Sequence, residues 1–390
     1  QSLFNLNLQA AATPQDVLNQ KLYQAASTQQ YEWGSLLLSQ GAVPLPNALG
    51  LYPWHYISPS TIGDPSAEKL FLECLTAFKR TISLDTLPTE LKKRYKEMNT
   101  LHIAARHGFK EAFNQILDDY RSILNTCNRH NHKALHFAAR SGDVELCSRI
   151  HELNPNMINE RDNQGFSALH HAVQHGNHDV CAFLLAKNKA MNSQVNIDGL
   201  TPLVDCLKRK TRPNNLEATL NVLLTHASAE DVLICDDEGY TALHYATNDE
   251  TSSRIVQLIL DANPHTVLTP DKQSRLAPID LAMEHLLTAF INGGPLHSST
   301  NPFSIKAMLE TLSTIPEARA YYLATLKMFN AIFPKPQKNW RAIRDHYHSE
   351  RDTFHNTFNP ITSKDRLGRT IAHTQALHYG FKNYNISIWI

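Results

Sequence analysis

Leucine-type positions recur along this chain at a fixed interval. Leu101, Leu135, Leu169 and Leu203 stand 34 residues apart, and Leu243 and Ile279 follow after steps of 40 and 36. Each sits in a similar short phrase: Asn99-Thr100-Leu101-His102, Lys133-Ala134-Leu135-His136, Ser167-Ala168-Leu169-His170, Thr201-Pro202-Leu203-Val204, Thr241-Ala242-Leu243-His244 and Ala277-Pro278-Ile279-Asp280. A period in this range describes stacked supersecondary units, not one closed core. Function in such a chain is expected on the surface more than in a pocket.

The polar residues before each leucine predict a turn. Gly165, Gly199 and Gly239 lie four positions upstream, and Asn128, Asp162, Asn196 and Asp236 lie seven upstream. Glycine suits a turn that needs positive φ, and Asn131 takes that place in one unit. Ser167, Thr201 and Thr241 stand where a hydroxyl caps a helix start. After the leucine come Ala104-Ala105, Ala138-Ala139 and Ala172-Val173, small enough for neighbouring helices to approach closely. A second helix is predicted around Ile116-Leu117, Leu184-Leu185 and Leu258-Ile259.

The phrase D/N-x-x-G-x-T-x-L-H resembles the ankyrin repeat, whose T-P-L-H-x-A-A and L-L signatures are matched across residues 99–286. The resemblance implies an all-α fold, an ankyrin-repeat solenoid in which each unit is a turn finger followed by two antiparallel helices. The register extends outward. Asn47-x-x-Gly50-x-Tyr52-Pro53-Trp54-His55 fits with Trp54 in place of leucine, and Leu22, Ala25-Ala26 and Leu37-Leu38 suggest an earlier unit. Asp365-x-x-Gly368-x-Thr370-x-Ala372-His373 fits again and is expected to be an atypical terminal cap. The expected division is residues 1–98 for degenerate repeats with an insertion, 99–286 for consensus repeats, 287–364 for a helical insertion, and 365–390 for the cap.

Three interruptions break the period. Trp54 and Leu101 are 47 residues apart, and the excess includes the mixed apolar and charged segment from Phe78 to Tyr95. Thr211 to Asn215, with Pro213, reads as a loop. Between Ile279 and Ala372 lie 93 positions where about 34 are needed. Ile305 to Leu312 is expected to complete the interrupted repeat. Ala318 to Phe333 and Asn339 to Phe358 read as two further helices.

Charge changes the picture little: 37 Lys and Arg balance 37 Asp and Glu. Bulk attraction to nucleic acid or anionic lipid is not expected, and no apolar stretch approaches the roughly 20 residues of a membrane helix. No basic-then-apolar leader opens the chain. The six cysteines mostly follow the repeat, so they are expected to be reduced, packed thiols in a reducing, cytoplasm-like compartment. A monomer without cofactor is expected.

Two rows of candidate contact residues emerge. His132, Phe166, Leu200 and Tyr240 stand three before their leucines, at the expected fingertips, where an apolar strip marks a partner site. Arg106-His107, Arg140-Ser141, Gln174-His175 and Lys208-Arg209 stand five and six after the leucine. The resemblance places them on the concave face, where a basic stripe attracts an acidic partner segment until Asn248-Asp249 reverses it. Together these imply a protein–protein interaction module. The degenerate repeats, low glycine, abundant His and Asn, and helical appendage also resemble ankyrin-repeat effectors that intracellular bacteria deliver into host cells. That resemblance implies secretion and engagement of a host protein.

Other chemistry has thinner support. His102, His136, His170 and His244 occur once per repeat, too far apart for one ion, and the family uses them to hydrogen-bond the turn. His348, Asp352 and His355 share a helix face, but no fourth metal ligand is evident. Cys74 alone escapes the repeat register, which leaves a thiol hydrolase there, or an activity in the 287–364 insertion, as an alternative function. RNA binding along the basic stripe is a second alternative.

Overall fold

The computed structural model describes residues 13–58, 60–81, 98–209, 215–247, 253–273, 275–282, 302–315 and 323. Most of the expected 287–364 insertion lies outside these residues, as do the expected 365–390 cap, Asn248-Asp249, and the trio His348, Asp352 and His355. Contacts divide the chain into a first unit, 1–184, and a second, 185–390.

The first unit contains α1 (Pro14–Ser27), α2 (Tyr31–Ser39), α3 (Pro65–Thr81), α4 (Thr100–His107), α5 (Lys110–Asp119), α6 (Ala134–Ser141), α7 (Val144–Leu153) and α8 (Ala168–Gln174). The division falls inside α9 (His178–Lys187). The second unit contains α10 (Pro202–Lys208), α11 (Leu216–His226), α12 (Ala242–Thr247), α13 (Ser253–Ala262) and α14 (Pro302–Ser313). No sheet forms among the described residues; an isolated antiparallel bridge joins Arg161 and Ser167. The expected turn–helix–helix unit is present and repeated.

One finger shows how the polar pattern makes the turn. The Asp162 backbone N–H donates to the Phe166 carbonyl at 3.0 Å, and the Gly165 N–H donates to the Asp162 carbonyl at 3.0 Å. The Asp162 Oδ1 then accepts the N–H groups of Gln164 and Phe166, both at 2.9 Å. The same wiring recurs at Asn47, Asn128, Asn196 and Asp236. Only a short side chain ending in an acceptor oxygen reaches both N–H groups, which is why the position is Asn or Asp. The fourth residue has positive φ, +77° at Gly165 and +63° at Asn131.

Helix starts are closed by histidine. The Nδ1 of His136, His170 and His244 accepts the backbone N–H three residues upstream at 3.0, 3.2 and 3.0 Å. His55 does the same for Tyr52 at 3.0 Å. That repeat departs from the rest beyond this point. Trp54 stacks on Tyr52 at 4.5 Å and meets Phe78 edge-on at 5.5 Å, and the helix shrinks to a single 3₁₀ turn, Pro53–Tyr56.

In the first unit α4 packs on α6 and α6 on α8. Ala104, Ala105, Ala138 and Ala139 are fully buried, so small side chains set the close approach. A short 3₁₀ turn follows each second helix, at Arg121–Asn125, Pro155–Asn159, Lys189–Ser193, Asp231–Leu233 and Pro264–Leu268. It buries apolar pairs such as Ile123-Leu124, Met157-Ile158 and Val267-Leu268. In the second unit α10 packs on α12, α11 on α13, and α13 on α14, where Met308 and Leu309 are buried.

Candidate functional site

The fingertip row does not stand where the repeat pattern placed it. His132, Phe166, Leu200 and Tyr240 have both backbone polar groups tied to the turn Asn or Asp, which draws them to the finger's base. The Phe166 ring lies edge-on to His170 at 5.4 Å, and Tyr240 lies edge-on to His244 at 5.3 Å. Leu200 is buried, and the other three are half-buried. The exposed tips are the second and third turn residues: Arg129-His130, Asn163-Gln164, Ile197-Asp198 and Asp237-Glu238. Ile197, 68% exposed, was overlooked in the sequence. Its signal was its place directly after the turn asparagine, the position that is exposed in each of these four fingers.

The basic row separates into matched and unmatched cations. In the second unit the Lys208 Nζ lies 3.1 Å from Oδ2 of the buried Asp236 and 5.5 Å from the Tyr245 ring centre. The Arg209 Nε lies 3.2 Å from both carboxylate oxygens of buried Asp205. Both cations neutralise carboxylates that the fold has buried. In the first unit Arg106 and Arg140 have no carboxylate partner among the described residues. Both are partly desolvated, which depresses their guanidinium pKa values, and the Arg140 charge depresses that of Arg106 further. Two like charges are thus held together at the ends of α4 and α6.

The fold fixes those helix ends. The Gly63 N–H donates to the His107 carbonyl at 2.8 Å, and the Asn177 side-chain amide donates to the Ala139 and Arg140 carbonyls at 2.8 and 3.0 Å. His107 itself is buried, and burial, with help from Arg106, pushes its pKa down to about 4. It belongs to the packing and leaves the contact row. His175 is exposed at the end of α8.

Next to this pair lies a dense polar cluster. The His132 Nε2 is 2.9 Å and the His171 Nε2 3.1 Å from the Asp162 Oδ2. Burial alone would raise the Asp162 pKa, but hydrogen bonds from His132, His171 and the Phe166 N–H outweigh it and hold the carboxyl far below its ordinary range. Asp236 repeats the theme in the second unit, taking Lys208 and the Tyr245 hydroxyl, at 2.6 Å, on Oδ2.

The repeated histidines and the cysteines settle into structural places. The Nε2 of His102 lies 3.2 Å from the Thr126 carbonyl, and that of His244 lies 3.2 Å from the Leu276 carbonyl, so each imidazole joins its helix start to the next finger. Cys74 is buried, and burial pushes its thiol pKa up, away from the thiolate a nucleophile requires. Burial therefore speaks against a nucleophilic thiol at Cys74.

Residues 101–197 match the family model described as ankyrin repeats in three copies. These residues are ankyrin repeats. Members of this family are, in general, protein–protein interaction modules. The protein is also similar, at 18% identity and a TM-score of 0.42, to a chain in the complex of the Bd0816 predatory endopeptidase of Bdellovibrio bacteriovorus with immunity protein Bd3460. That match covers 56% of this chain and 99% of the other. The ankyrin repeat domain of Bcl-3 is similar at 20% identity and a TM-score of 0.43, over 54% of this chain and 90% of that one. No curated protein matches this sequence. Among the described residues no helix is long and apolar enough to cross a membrane.

Proposed function

We propose that the first unit binds an acidic segment of a partner protein across Arg106 and Arg140, with Phe166 supplying an apolar contact. The observation that carries this reading is the unmatched guanidinium pair. Two partly desolvated like charges raise the free energy of the unbound protein, and a carboxylate set between them relieves both. Phe166 is brought into the reading through His171, on which the Arg140 charge acts and whose ring centre lies 5.9 Å from that of Phe166, the two rings tilted. Each exposed ion pair contributes about 0–1 kcal/mol, so affinity must also draw on an apolar residue of the partner. Lys208 and Arg209 take no part, because their charges are already matched.

The test is selection of peptides from a random displayed library on the full chain. Selected sequences are expected to place Asp or Glu beside an aromatic or branched aliphatic residue, and to bind more weakly as salt rises. Arg106→Glu with Arg140→Glu is expected to weaken these peptides at least ~10-fold, about 1.4 kcal/mol. Arg149→Glu, on the second helix α7, is expected to change little. Peptides without acidic residues, or equal binding by the double variant, overturn the reading.

A further inference from the structure

We propose that His132, Asp162 and His171 form a divalent transition-metal site of zinc type, linking two successive fingers of the first unit. The three ligand atoms, two imidazole Nε2 and one carboxylate Oδ2, all lie within 4.8 Å of one another. Tetrahedral bonds of about 2.0–2.1 Å put neighbouring ligand atoms roughly 3.3 Å apart. The two N···O distances, 2.9 and 3.1 Å, need to open by only a few tenths of an ångström, while the two nitrogens draw together. Two imidazoles and one carboxylate leave a fourth position open and suit zinc, cobalt or nickel better than calcium or magnesium.

The surroundings favour a cation in several ways. The Asp162 carboxylate side chain is 1% exposed, while those of His132 and His171 are 24% and 12% exposed, so the anion is sheltered and the imidazoles still meet solvent. Asp162 is oriented by the Gln164 and Phe166 N–H groups on Oδ1, leaving Oδ2 to the histidines. His136 lies close, its ring centre 5.4 Å from that of His171, but it is not a ligand. Its Nδ1 accepts the Lys133 N–H, which leaves the proton on Nε2 and no lone pair there for a metal.

Two features oppose the cation and make the site testable. The Arg140 charge acts on His171. The Asn128 side-chain amide nitrogen lies 3.4 Å from the His132 Nδ1, with its oxygen already accepting the N–H groups of His130 and His132. When the His132 Nε2 gives its lone pair to a metal, its proton moves through solvent to Nδ1 and faces this amide. Asn128→Asp, which restores the residue type of the Asp162 and Asp236 fingers, replaces that donor with an acceptor. The result is a carboxylate–histidine–metal relay, and such outer partners change affinity about 10–100-fold.

The experiment titrates Co²⁺, and then Zn²⁺ in competition, into the full chain, reading the visible d–d absorption of tetrahedral cobalt. The expected result is one Co²⁺ per chain with visible bands, displaced by Zn²⁺ and lost in His132→Gln and His171→Gln. Asn128→Asp is expected to bind at least ~10-fold more tightly, and Arg140→Gln also more tightly. These two variants keep all three ligands, so they decide the matter even if a histidine variant unfolds, which circular dichroism will show. No saturable binding by ~1 mM cobalt, weaker than the about 4 kcal/mol that a millimolar site supplies, overturns the site. Equal binding by folded His132→Gln, or no tightening by Asn128→Asp, also overturns it. None of these readouts depends on the acidic-peptide proposal.

Discussion

The hardest constraint on single residues lies in the fingers, where backbone geometry leaves few choices. Gly50 and Gly239 hold equivalent turn positions, with φ of +73° and +90°. A Cβ on Gly50 meets nothing within 4 Å, whereas one on Gly239 stands 2.5 Å from the Lys272 backbone nitrogen. Gly50→Ala should therefore cost only the left-handed strain of about 1–2 kcal/mol, and Gly239→Ala should cost at least twice as much. Urea unfolding of the two variants measures the difference, and equal losses would show that the next finger does not crowd Gly239. Asn131 meets the same backbone demand and adds something glycine lacks: its side-chain amide donates to the Arg161 carbonyl at 2.7 Å.

Individual helices here are short, so their ends weigh heavily. The Thr201 hydroxyl accepts the Val204 N–H at 3.2 Å at the start of α10, and the residue is buried. No histidine shares the task there, because the usual histidine position is Val204. Thr201→Ala should destabilise the protein by about 1 kcal/mol, the usual value of an N-cap. Thr241→Ala should cost less, since the His244 Nδ1 still accepts the Thr241 N–H. Chemical denaturation of both variants tests that ranking, and a larger loss at Thr241 would contradict the account of shared capping. The 3₁₀ turns after the second helices follow a similar economy. Four of these five turns carry two buried apolar residues, Lys189–Ser193 burying Met191 with Asn192 instead, and the short path lets the chain turn back to the next finger.

Across the whole chain the buried histidines govern acid stability. Burial pushes His55, His107 and His244 down to about 4 and His136 to about 3. An unfolded chain titrates these groups near 6.5. As pH falls below that value the unfolded state gains protons that the folded state refuses, so stability is lost progressively down to the folded-state values. Asp162 acts in a lower window, because its contribution is fully present above about 4 and is lost only below it. Thermal unfolding should therefore show a midpoint that drops by about 10 °C or more between pH 7 and pH 4.5, taking roughly 2–4 °C per kcal/mol for units of this size. A flat profile across that range would mean the imidazoles are not held neutral.

The repeat, its turn chemistry and its all-α character were legible in the sequence. They rest on local rules: an acceptor side chain seven before a leucine, a residue tolerant of positive φ three later, and a cap at the helix start. These rules act over a few neighbouring residues, so they survive as a readable pattern. Which side chains face outward was not legible in the same way. The spacing that locates Phe166, Leu200 and Tyr240 is blind to the hydrogen bonds that fold them to the base of the finger and leave Ile197 at its tip. Likewise Arg106, Arg140, Lys208 and Arg209 read as one basic row, and only tertiary contacts give Lys208 and Arg209 their buried carboxylates. His132, Asp162 and His171 converge for the same reason. Their nearness depends on how one finger is laid against the next, a distance that no count along the chain contains.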